Sequence, residues 1–145
     1  MMALVADRNT PAYAGDLREG PVAAAQLIYG GAMVMVNAAG YLVKGQTATG
    51  LIGVGRAEAR ADNSAGAAGA ITLRYKPGTY RFKNSTAGDL ITAADIGKAC
   101  YAVDDETVAL TSATNTRSPA GTIDSVDANG VWVRFDAALT RAALS

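Results

Sequence analysis

Histidine is absent from this 145-residue chain, and cysteine occurs once, at Cys100. Without an imidazole there is no Ser-His-Asp or Cys-His nucleophile pair, no His-ligated zinc and no general base titrating near neutrality. A single cysteine excludes an internal disulfide and any Cys-x-x-Cys site. An excess of either charge is also missing: 13 basic side chains stand against 13 acidic ones, with a pI near 6.2. Backbone binding to nucleic acid needs a basic face that neutralises several phosphates, and here Lys and Arg are scattered among carboxylates. Long hydrophobic runs are lacking too. The most apolar stretch, Ala32 to Val43, is interrupted by Asn37 and Gly40 and falls far short of a membrane span. Met1 to Arg8 has neither a basic n-region nor a sufficient apolar run for a secretory signal, so synthesis in a reducing cytoplasm is expected.

Bulky apolar groups are scarce as well. Half of the residues are apolar, yet about a fifth of the chain is alanine, and only two Phe, six Tyr and one Trp are present. The length suits one domain with a modest core. A domain so poor in large side chains gains from burying further surface in an assembly.

What is present is glycine, 16 residues of it, spaced so that few stretches run far without a turn signal. Short alternating runs bounded by Gly, Asn, Asp and Pro predict an all-β fold, a small β-sandwich or barrel built from hairpins with at most one or two short helices. The polar stretch 6–21, with Pro11 and Pro21, shows no helical period and reads as an extended arm. The expected organisation is an arm over residues 1–22 and one β-rich domain over 23–145.

Ile28 to Val36 and Gly40 to Val43 read as two strands joined by the Asn37–Gly40 turn. Leu51 to Ala61 follows, its Gly53 and Gly55 suggesting a bulge or a close backbone approach. Asp62 to Gly69 reads as a flexible loop of small residues with nothing to anchor it. Ile71, Leu73 and Tyr75 alternate, Lys76–Thr79 supplies a Pro-Gly turn, and Tyr80 and Phe82 alternate back, which predicts a hairpin. Thr92–Asp95 resembles a capping box for about one helical turn, ended by Gly97. Two more strand pairs are expected, over 99–103 with 107–111 and over 121–126 with 131–135. Ala137 to Leu144 suits either a short terminal helix or a frayed end.

No chemical motif stands out. Gly97-Lys98 lacks the upstream glycine of a phosphate loop, and Gly53-x-Gly55 lacks the third glycine of a dinucleotide fold. Asp104-Asp105-Glu106 is better read as a solvated turn than as a calcium loop, which needs alternating ligands and a glycine bend. Cys100 reads as a small buried hydrophobe. No enzyme activity, cofactor, metal or small-molecule substrate is therefore expected. In Val131–Phe135, residues 131, 133 and 135 share one face while Trp132 and Arg134 share the other. If the first face fills the core, the second displays a Trp beside an Arg, the pair most enriched at interface hot spots.

Three stretches point further: Ala6-Asp7-Arg8-Asn9-Thr10-Pro11; Ala93 to Lys98 running into Tyr101 to Val108; and Ala120 to Val126 with Gly130 to Phe135. In these the chain resembles the head decoration, or capsid cement, proteins of tailed bacteriophages, the likeness being best at the ends and in the C-terminal half. The resemblance implies a β-rich structural protein, commonly trimeric, on the outer surface of the virion, bound to the major capsid protein where capsomers meet. It would be made in the bacterial host cytoplasm, with no nucleic acid or membrane as partner. On that reading Val5, Asp7, Arg8, Asn9 and Tyr13 of the arm contact the shell or a neighbouring subunit, and Trp132 and Arg134 lie at a subunit interface. The competing expectation is a head-fibre or glycan-binding adhesion module, for which Tyr75 and Tyr80 are the candidate aromatics.

Overall fold

Residues 3, 5–8 and 17–144 are described by the computed structural model. Strands β1 (Arg18–Pro21), β2 (Gln26–Ile28), β3 (Met33–Val36), β4 (Leu42–Lys44), β5 (Ile52–Ala57), β6 (Ala61–Asn63), β7 (Thr72–Lys76) and β8 (Gly78–Phe82) occupy the first part. Strands β9 (Ala99–Ala102), β10 (Val108–Ala109), β11 (Pro119–Asp127), β12 (Gly130–Phe135) and the helix α1 (Ala137–Ala143) follow. One antiparallel sheet runs β1-β7-β5-β3-β4, a second runs β10-β9-β11-β12-β8, and β2 with β6 forms a separate ribbon. The two sheets make a small all-β sandwich, not a closed barrel.

The first sheet is covered on both faces. Met33 and Met35 of β3 point into the larger core, with Phe82, Cys100, Ile123, Val131, Val133 and Phe135 of the second sheet. Val34, between them, points the other way, into a smaller core with Val22, Ile28, Leu42, Ala61 and Leu73 beneath the β2–β6 ribbon. One strand thus feeds two cores through the two-residue side-chain period. Burying each such aliphatic group contributes about 1.5–3 kcal/mol.

Several sequence expectations are met locally. β3 and β4 pair across the Asn37–Gly40 turn, and β11 returns to β12 with Asp127 opposite Gly130. The β3–β5 register slips between Val34 and Met35, the bulge expected near Gly53 and Gly55. Both glycines also sit where backbones nearly touch. A Cβ on Gly53 would run into the Ala120 carbonyl of β11, and one on Gly55 would lie 2.5 Å from the Lys76 oxygen.

Four expectations need correction or refinement. Ile28 to Val36 is not one strand: Gly31, at φ +85°, turns the chain between β2 and β3, which lie in different layers. β7 and β8 do not form a hairpin. β7 pairs with β1 and β5, whereas β8 pairs with β12 in the other sheet. The apolar stripes of the two strands serve different cores, Leu73 the smaller and Phe82 the larger, so the chain crosses between sheets. Pro77 has no N–H to give to a ladder, and Gly78, at φ +143°, supplies the bend. The 62–69 loop is anchored: Asn63 is 3% exposed, and its Nδ2 donates to the Ala23 carbonyl at 2.9 Å and the Ala67 carbonyl at 3.0 Å. Finally, Arg18–Pro21, within the stretch read as an arm, pairs with β7, and Val22 is fully buried.

Candidate interaction surface

β12 alternates as its sequence suggests. Val131, Val133 and Phe135 are buried, Trp132 is half-buried and Arg134 is exposed. The outer face of the second sheet therefore carries Trp132 and Arg134 side by side. Pairing with β8 sets Arg81 opposite Trp132 and Thr79 opposite Arg134. The Arg81 guanidinium carbon lies 5.7 Å from the centre of the indole, within the range of a cation–π contact. From the β11–β12 turn, the Asp127 carboxylate accepts the Trp132 indole N–H at 2.9 Å and the Asn129 amide at 2.8 Å. The indole and that amide hold the Asp127 carboxyl below the ordinary carboxylate range. The Trp132 ring is thus fixed at its polar edge and flanked by a cation, a pre-organised aromatic on an outward face.

Beside Arg134 the surface dips into a hollow of about 290 Å³ lined by Ile96, Thr122, Ile123, Asp124, Arg134 and Leu139. Its two walls come from separate segments of the chain. Ile96 ends the 3₁₀ turn Ala93–Asp95, in which the Thr92 amide donates to the Asp95 carboxylate at 2.9 Å. Gly97, at φ +92°, ends that turn as expected, and its N–H donates to the Ile123 carbonyl at 2.8 Å. Leu139 stands in the first turn of α1, where its amide donates to the Asp136 carboxylate at 3.1 Å. Fully buried Thr140 anchors the helix beneath it. Although held in this way, Ile96 is 51% and Leu139 39% exposed.

Of the arm residues singled out from the sequence, Val5, Asp7 and Arg8 are exposed, Val5 at 93%. Asn9 and Tyr13 lie outside the described residues. The structure does not bring Val5, Asp7 or Arg8 to the Trp132–Arg134 face by any described contact. Tyr75 and Tyr80, the candidates for a sugar platform, are both half-buried and stand on different sheets. Arg56 also lies across the Tyr80 ring at 4.3 Å. Cys100 is fully buried on β9 and burial pushes its thiol up to about 12, the inert environment expected of it. Asp104 to Glu106 is a turn whose Glu106 carboxylate takes the Lys83 ammonium at 2.8 Å.

Trp132 and Arg134 were legible from alternation alone. Arg81 has the same signal, since Tyr80 and Phe82 point inward around it, but its place beside Trp132 depends on the β8–β12 pairing. Ile96, Asp124 and Leu139 carried no signal, because their proximity joins three separate segments. No protein-family model matches the chain, and neither a characterised protein nor a solved structure matches it.

Proposed function

We propose that this protein is a structural component of a tailed-phage particle that binds the outside of the mature capsid and stabilises it by bridging major capsid protein subunits, as a homotrimer. The observation that carries the reading is the outward row of Arg81, Trp132 and Arg134, with its aromatic fixed and its cations in solvent, beside an apolar hollow. Trp and Arg contribute most where protein surfaces meet. The sequence stretches that resemble decoration proteins supply the kind of assembly. The mechanism is passive: area buried across several shell subunits opposes their separation under internal pressure. A trimer engaging three sites gains on the order of a hundredfold or more over one contact. Sites formed only on shell expansion would confine binding to the mature state.

Co-sedimentation of the purified protein with expanded, undecorated heads and with unexpanded shells tests this. Saturable binding to expanded heads alone is the expected result. Absence of binding to both, or glycan binding in its place, overturns the reading in favour of the adhesion module.

A further inference from the structure

We infer that the hollow between Ile96 and Leu139 is a docking surface for a second copy of this chain, closed around the trimer axis by Arg134 of one copy pairing with Asp124 of the next. The inference deepens the assembly reading above and rests on it for self-association, but it names a surface that the reading does not.

Three observations on the same patch lead there. Arg134 and Asp124 are both exposed and line one hollow, yet among the described residues neither side chain has a hydrogen-bond or ion-pair partner. By contrast, Asp95 engages Lys98 at 3.1 Å, and Asp127 is taken by Trp132. A free cation and a free carboxylate flanking one apolar depression make it complementary in charge to another copy of itself. Such a patch can close a symmetric assembly, in which every copy gives its Arg and its Asp to neighbours.

Secondly, the apolar groups between them are held in solvent by rigid elements. Ile96 is clamped by the capped turn before it and by the Gly97 link to β11, and Leu139 by the Asp136 cap and buried Thr140. Residues more than a third exposed, yet fixed in place, lose little freedom on docking. Thirdly, the patch continues into the Trp132 row through Arg134, so one side of the molecule offers an aromatic anchor, an apolar centre and a charged rim.

Charge reversal tests the pairing. Sedimentation velocity of the full chain reads self-association, with binding to expanded heads measured in parallel. Arg134→Asp and Asp124→Arg are each expected to weaken association about tenfold or more, through like charges placed face to face. The double variant carrying both changes should recover it, and that recovery excludes simple misfolding of the single variants. Single variants that associate like the parent overturn the surface, as does a double variant that fails to recover. If association is untouched while head binding falls, the patch faces the shell; this surface then fails and the capsid reading stands.

Discussion

The two faces of the first sheet are covered by unlike means. On one side, the second sheet supplies Phe82 and Phe135, their rings edge-on with centroids 5.7 Å apart, and Tyr80 lies tilted beside them at 6.2 Å from Phe135. On the other, a ribbon of two three-residue strands sets its Ile28 against Val22, Val34 and Leu73, with no aromatic among the buried residues. The larger core is held by area and ring geometry. The smaller one is too thin for that alone and is tied by a polar side chain, the buried amide of Asn63 reaching back to the carbonyl of Ala23. A chain with nine aromatics has put both of its phenylalanines in a single layer and closed the other with a hydrogen-bonded clasp. The lesson is that scarcity of bulky groups need not cost a layer, provided a buried polar group has all its partners.

Truncating the ring cluster should break that comparison most strongly. Phe135→Ala is expected to lower the unfolding free energy by about 3–5 kcal/mol, measured by urea denaturation, with a single transition and loss of both layers together. Asn63→Ala should do less, about 1–3 kcal/mol, because it leaves the Ala23 and Ala67 carbonyls without their donor. Its effect should also be local: amide exchange should quicken over residues 61–70 while β11 and β12 stay protected. Equal acceleration in both regions would mean that the ribbon is no separate unit.

The smallest effect is electrostatic and distinguishes the same two regions. Hydrogen bonding from the Thr92 amide, then from Lys98, holds the Asp95 carboxyl below its ordinary range, near the larger core. At the ribbon, the Ser64 hydroxyl and then its amide do the same for Asp62. A carboxyl lowered in the folded state contributes stability above its unfolded value of about 4, and that contribution is lost as the pH falls through the lower folded value. Urea midpoints between neutral pH and about pH 3 should therefore fall with acid. Asp95→Asn should flatten that slope more than Asp62→Asn, since Asp95 is 6% exposed and Asp62 lies in solvent.

Much of this architecture is written locally. The turns at Asn37–Gly40 and Asp127–Gly130, the bulge at Gly53–Gly55 and the outward Trp132 all follow from alternation and turn chemistry over a few residues. What alternation cannot say is which strand lies beside which. The stripe Ile71, Leu73, Tyr75 and the stripe Tyr80, Phe82 look like the two arms of a hairpin, and only the division of Leu73 and Phe82 between two cores shows otherwise. Asn63 is invisible for the same reason: its partners Val22 and Ala23 lie some forty residues upstream. The hollow shares this fate, since Ile96, Asp124 and Leu139 meet only when the whole sandwich is assembled.

The bend at Pro77 has a mechanical consequence. Because β7 and β8 are successive stretches of one backbone, the two sheets are joined by covalent bonds as well as by packing and cross-layer hydrogen bonds such as that from the Leu51 amide to Ser118. A load applied to the outward row on β8 and β12 passes along the chain into β7, and from there into β1 and β5. The second sheet is thus a handle sewn to the rest of the molecule.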